Sequence, residues 1–303
     1  MHAPHTPVLL EEVLHWLRIR PEGIYIDATV GAGGHAVEIA RRLTTGRLVG
    51  LDQDPQALEL ARERLREFER QVTLVHASFS RIEEIVRRLN LPSADGVLAD
   101  LGVSSMQLDS AERGFSFRFG GPLDMRMDPE AQMTAAEIVN HRPEKELADL
   151  LYHYGEERDS RRIARAIVRA RPIRDTGHLA TVVAGARKAR GRQRLHPATK
   201  TFLALRIAVN REMEELEQFL SRTPATLSPA GRWVVLSYHS LEDRMVKRAF
   251  QQLARDGAVQ ILTKKVIQPA PDEVRSNPRA RSAKMRVAER KAPVIAPMAE
   301  GNP

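Results

Sequence analysis

The 303-residue chain contains no cysteine, which removes disulfides, thiolate zinc sites and cysteine nucleophiles from its chemistry and fits a reducing compartment. The ten histidines are scattered without ligand spacing, so no metal is expected. No apolar run approaches the roughly 20 residues needed to cross a bilayer. The opening Met1-His-Ala-Pro-His5 lacks the charged-then-apolar pattern of a signal peptide. A cytoplasmic protein with no membrane partner is the expectation. Acidic residues are in the minority, 39 against 47 Lys and Arg, for a net charge of +8. Lysine is scarce too: 8 copies leave 39 arginines. Such a balance points to a polyanionic partner, although genome composition or heat adaptation also enriches arginine.

What is present begins with Ile24-Tyr-Ile-Asp-Ala-Thr-Val-Gly-Ala-Gly-Gly-His35, a β-branched strand running through Asp27 into a glycine-rich turn. Gly31, Gly33 and Gly34 let backbone approach a ligand closely, and Ala36–Leu43 reads as the following helix. A second strand, Arg47–Leu51, ends in Asp52, a carboxylate about 20 residues beyond the turn, where doubly wound folds bind ribose hydroxyls. The glycine spacing alone also fits a dinucleotide site or a bare strand-to-helix connection. Asp27 discriminates: a carboxylate at the turn repels a pyrophosphate but suits a phosphate-free cofactor with a cationic end. S-adenosyl-L-methionine has both properties.

The chain keeps alternating through helix 56–68, strand 72–76, helix 80–89 and strand 96–99, the pattern of a parallel sheet covered on both faces. Its strand ends supply Asp27, Asp52, Ala77-Ser-Phe79 and Asp100, which should converge on one crevice. Phe79 fits either an adenine ring or a core. From Gln107 to near Pro197 the pattern turns helical and basic, with 12 Lys and Arg between Arg158 and Arg194 against Asp159 and Asp175. Arg158, Arg161, Arg162, Arg165 and Arg169 share mostly one helical face, which reads as a solvated surface or an RNA-facing one. Helix 200–220, turn Ser228–Gly231, strand 233–237, helix 241–253 and strands near 259–263 and 285–288 then complete the core. The expected fold is α/β, a class I, Rossmann-like methyltransferase sheet formed by residues 1–106 and 197–291. An all-helical insertion at 107–196 and a flexible tail at 292–303 complete the expected organisation.

Five further blocks carry a family resemblance: His5-Thr-Pro-Val-Leu-Leu-Glu-Glu-Val13, Asp100-Leu-Gly-Val-Ser-Ser-Met-Gln-Leu-Asp109, Arg113-Gly-Phe-Ser-Phe117 with Gly121-Pro-Leu-Asp-Met-Arg-Met-Asp128, Ser237-Tyr-His-Ser-Leu-Glu-Asp-Arg244, and Asn277-Pro-Arg-Ala-Arg-Ser-Ala-Lys284. Together, and in this order, they resemble the bacterial RsmH family, also called MraW, over nearly the whole chain. The resemblance implies methylation of the exocyclic amine of a cytidine in the decoding region of small-subunit ribosomal RNA, with S-adenosyl-L-methionine as donor and the RNA or the 30S particle as partner. It implies cofactor contacts from Gly33, Gly34, His35, Asp52, Phe79, Asp100 and Gln107. Gly120 departs from it, because an Asp is expected before Gly121-Pro-Leu-Asp124.

The cytidine amine is a poor nucleophile because its lone pair is delocalised, so the site needs an acceptor that orients it and takes its proton. Asp100, Asp109, His239 and the carbonyls of Leu101–Val103 are the candidates, with His239 equally readable as a helix cap. The Pro-Pro-aromatic block of DNA amino-methyltransferases is missing, so stacking falls to Tyr238, Phe115 and Phe117. Arg113, Arg126, Arg161, Arg165, Arg279 and Arg281 are the candidate phosphate contacts. The Arg113–Phe119 run also approximates an RRM strand, but Pro122 and the helices that follow it disfavour that fold. A non-catalytic ribosome-assembly protein and a nicotinamide oxidoreductase are the rival functions.

Overall fold

The computed structural model describes residues 7–118, 120–187 and 196–292. The tail from 293 onward, His5, Phe119 and the basic residues Lys188, Arg190, Arg192 and Arg194 lie outside the described residues. The chain divides into two compact units, one of Met1–Asp52, Gln56–Gly102 and Leu216–Pro303, the other of Gln53–Pro55 and Val103–Glu215.

In chain order the first unit holds α1 (Leu10–Leu17), β1 (Ile24–Asp27), α2 (Gly34–Ala40), β2 (Arg47–Asp52), α3 (Pro55–Arg64), β3 (Val72–His76), α4 (Ile82–Arg88) and β4 (Ala94–Asp100). Then come α5 (Ser105–Asp109), α6 (Ala135–His141), α7 (Glu144–Gly155), α8 (Ser160–Arg169), α9 (Thr176–Ala186) and α10 (Thr199–Asn210) of the second unit. Helix α11 (Glu212–Thr226) leads back to β5 (Leu227–Ser237), α12 (Ser240–Arg255), β6 (Val259–Ile261), α13 (Pro271–Ser276) and β7 (Lys284–Arg290).

The strands fold as they do because their apolar runs are buried on both faces: Leu48, Val49 and Leu51 in β2, and Val97, Leu98 and Ala99 in β4, are all fully buried. They build a seven-stranded sheet in the order β3-β2-β1-β4-β5-β7-β6. β1 through β5 pair in parallel, while β7 runs antiparallel between β5 and β6. The order reverses at β1 beside β4, the switch point where an open α/β sheet opens its ligand crevice. Register sets Asp27 opposite Gly50 and Leu98, Asp52 opposite His76, and Asp100 opposite Leu236. All three carboxylates therefore leave the sheet at its carboxyl end.

In the second unit the apolar stripes of the helices meet in a single cluster that includes Ile138, Leu147, Leu151, Ile163, Ile167, Leu179, Val183 and Leu205. Its borders at Val103 and Glu215 lie outside the 107–196 span read from composition, because Phe202, Leu205 and Val209 of α10 belong to this core. The single helix read over 200–220 is broken at Arg211, whose left-handed backbone (φ 50°) caps α10. The Arg206 guanidinium then bridges to Glu212 across the break at 2.6 Å. The turn read at Ser228–Gly231 is absorbed into β5, where Leu227 pairs with Ala94 and the register shifts before Gly96.

Candidate functional site

The first turn of the site is shaped by backbone. Gly33, at φ +82°, stands just before α2 in a conformation that side chains strain to adopt. A Cβ on Gly34 would sit 2.8 Å from Cγ of Pro7, so only glycine lets that proline pack on the loop. The Gly31 N–H donates to Asp52 Oδ2 at 2.9 Å, tying the glycine turn to the end of β2.

Three carboxylates and an imidazole follow. Asp27 is 1% exposed and accepts the Thr29 N–H at 3.2 Å. Burial pushes its carboxyl up to about 7, His35 pulls the other way, and the charges of Asp100 and Asp52 add to the rise. His35 is 6% exposed, with Nε2 3.5 Å from Asp100 Oδ2, beyond good hydrogen-bond geometry, and neither ring nitrogen has a hydrogen-bond partner among the described residues. Asp100 is fixed from two sides: its N–H donates to Thr29 Oγ1 at 2.6 Å, and its Oδ1 accepts the Tyr238 hydroxyl at 2.7 Å. Burial, reinforced by the Asp100 charge, holds the Tyr238 phenol well above its usual range, so it remains a donor. Phe79, beyond β3, is half-buried and meets Phe219 edge-on at 5.3 Å.

His239 caps α12. Its Nδ1 accepts the Glu242 N–H at 3.4 Å, its Nε2 lies 3.0 Å from Glu242 Oε1, and Glu242 Oε2 accepts the Tyr238 N–H at 2.8 Å. Between the two readings of His239, the cap is what the geometry displays. Arg281 is exposed and Arg279 half-buried, on the segment between α13 and β7.

Several residues that the sequence offers as ligand contacts have partners within the second unit. Asp54, which sequence reasoning missed, is fully buried and takes Arg113 Nη2 at 2.8 Å and Gln107 Nε2 at 2.8 Å. Arg113 also donates to the carbonyls of Arg126 and Met127. Gln107 completes the capping box of α5 by accepting the Ser104 N–H, which leaves its amide group engaged at both ends. Phe115 lies in the helical core, and the half-buried Phe117 packs against it between His196 and Phe202 at 4.5 and 4.9 Å. Arg126 is held bidentately by Asp124 and by the carbonyls of Pro129 and Ala131.

Asp109 is exposed at the end of α5, and Arg161 and Arg165 are exposed on α8. A side chain on Gly120 would meet nothing within 4 Å, so the backbone does not demand glycine where an Asp is expected.

The glycine turn and the acidic strand ends together fit a ligand that is cationic and carries hydroxyls. With the antiparallel β7 inserted beside β5, these features define an S-adenosyl-L-methionine-dependent methyltransferase of the Rossmann-like class. The sequence model of the MraW methylase family matches residues 2–291, and the chain belongs to that family. It is 52% identical over 297 residues to the ribosomal RNA small subunit methyltransferase H of Koribacter versatilis, covering 95% of this chain and 94% of that one. Proteins of the same name from Solibacter usitatus (52% identity, 94% and 99% coverage) and Gloeobacter violaceus (52%, 95% and 89%) are similar throughout as well.

Proposed function

We propose that the protein methylates the exocyclic amine (N4) of a cytidine in the decoding region of small-subunit ribosomal RNA. The observation that carries this reading is end-to-end similarity to relatives named for small-subunit ribosomal RNA, in a chain that places Asp27, Asp52 and Asp100 at its strand ends. The arginines of α8, which are exposed with little acidic competition, support an RNA substrate.

S-adenosyl-L-methionine, when bound, supplies a methyl group already activated on a sulfonium. The chain's part is then to hold, orient and deprotonate. Asp52, oriented by the Gly31 N–H, would take ribose hydroxyls, and Asp27 would balance cationic charge in the crevice. Phe79 offers a half-buried ring for the adenine. Of the three side-chain acceptor candidates we favour Asp100 for the amine proton, since Asp109 is exposed and His239 is turned onto Glu242. An acceptor whose carboxylate is fixed before substrate arrives lowers the cost of aligning the amine.

Incubation with methyl-labelled S-adenosyl-L-methionine and small subunits lacking the modification, followed by nucleoside analysis, tests the reading. Label in N4-methylated cytidine is expected. Asp52→Ala should abolish labelling while leaving RNA binding intact. A ribosome-assembly protein without catalysis would instead be indifferent to that substitution and yield no label from the native chain.

A further inference from the structure

Tyr238 is an aromatic at the end of β5, where a base-stacking role is the obvious reading, yet its polar end is already engaged inside the protein. Its hydroxyl donates to Asp100 Oδ1 at 2.7 Å, and its N–H is held by Glu242 Oε2 at 2.8 Å. The ring is partly buried, and the space beside it is kept by Gly102 (φ +102°), whose Cβ would lie 3.5 Å from Tyr238 Cδ2. On the other side of the carboxylate, His35 Nε2 is 3.5 Å from Oδ2, near enough to attract it and too far to fix it. The phenol is therefore the side-chain donor that decides where the Asp100 carboxylate points.

We infer that Tyr238 is a positioning residue for the methyltransfer site, holding Asp100 by its Oδ1 so that Oδ2 faces the cofactor crevice, rather than a platform for the target base. The inference rests on the reading of that crevice as the S-adenosyl-L-methionine site. A hydrogen bond from a neutral phenol to a carboxylate is charge-assisted and short, and losing it lets the carboxylate rotate toward His35. The rest of the ring contributes packing, which Phe preserves.

The test is calorimetric titration of the full chain with S-adenosyl-L-methionine, for native protein, Tyr238→Phe, Asp100→Asn and the double variant. Tyr238→Phe, which removes one oxygen, should weaken the cofactor about tenfold. In the Asp100→Asn background the same change should do almost nothing, since the group it positions is gone. Full affinity in Tyr238→Phe, or equal losses in both backgrounds, would overturn the inference. A second arm measures methyl transfer to small subunits. Positioning predicts that Tyr238→Phe lowers kcat with KM for the particle unchanged; stacking predicts normal Tyr238→Phe and a raised particle KM in Tyr238→Leu, which would also overturn it. Absence of label from native protein would count against the proposed substrate alone, because the binding arm needs no RNA.

Discussion

The two units treat charge in opposite ways. At the carboxyl ends of the sheet, carboxylates are turned inward and crowded, with Asp27 fully buried near Asp100 and Asp52 and the His35 imidazole set against them. In the helical unit the arginines of α8 are turned outward, while charges drawn inside form closed internal pairs such as Asp54–Arg113. Buried like charges without enough counter-charge are costly, and a fold retains them where a ligand offsets the cost. Exposed charges cost almost nothing, so they mark a surface only by their one-sidedness. The Asp54–Arg113 pair is the instructive intermediate: buried, but satisfied from within.

That distinction is most severely tested at Asp54. Removing it by Asp54→Ala leaves the Arg113 guanidinium, 12% exposed, and the Gln107 amide without their shared acceptor. Breaking a buried ion pair by deleting one partner costs roughly 3–5 kcal/mol. The helical unit should therefore unfold at markedly lower denaturant, measured by hydrogen exchange on α5 and α6, while cofactor affinity of the surviving folded protein stays near native. Loss of cofactor affinity with unchanged protection would make Asp54 part of the site and erase the contrast.

Asp27 should show the reverse behaviour. Its carboxyl is raised from 3.8 to about 7 in the folded protein, so between those values the folded state binds a proton that the unfolded chain has lost. Stability of the free protein should accordingly fall as pH rises from 4 toward 7 and level off above it, by an amount on the order of a few kcal/mol. Asp27→Asn should thus stabilise the free protein at pH 8 and change it little at pH 4. Binding of a cationic ligand favours the ionised form, so affinity for S-adenosyl-L-methionine should drop roughly tenfold from pH 8 to pH 6 in native protein, more steeply than in Asp27→Asn. Parallel pH profiles for the two proteins would mean that the neighbouring carboxylates Asp52 and Asp100, not Asp27, respond to the cation.

How much of this is legible in the sequence depends on the range of the interaction. Local periodicity foretells the sheet, its strand ends and the glycine turn, because alternation and β-branching act over a few residues. The arginine face of α8 is legible for the same reason. What escapes is long-range: nothing near Asp54 announces that Arg113 and Gln107 will meet it, so their shared buried acceptor cannot be read from local pattern. The burial of Phe115 and the contact of Phe117 with Phe202 of α10 are long-range in the same way, since neither ring's neighbours are close in sequence. Arg211 hides the break between α10 and α11, because a single left-handed residue leaves the helical pattern on either side intact.

The smallest expected effects lie on α8, and they decide what its outward charge is for. Arg161, Arg162 and Arg169 are exposed, whereas Arg165 is exposed but lies 3.4 Å from Glu144. Replacing any of the first three by Ala should change stability by less than about 0.5 kcal/mol and leave cofactor affinity unaltered. If the face meets RNA phosphate, each replacement should weaken binding to the small subunit a few-fold at low salt. The slope of log affinity against log salt should also shrink by about 0.7–0.9 for each phosphate that the replaced arginine had neutralised. Arg165→Ala should shrink it less, because its charge is already partly offset, and Glu144→Gln should strengthen binding slightly by releasing it. A slope unmoved by all three replacements would leave α8 a solvated face, and a ligand would then be met by the inward carboxylates of the sheet rather than by the outward charge of the helices.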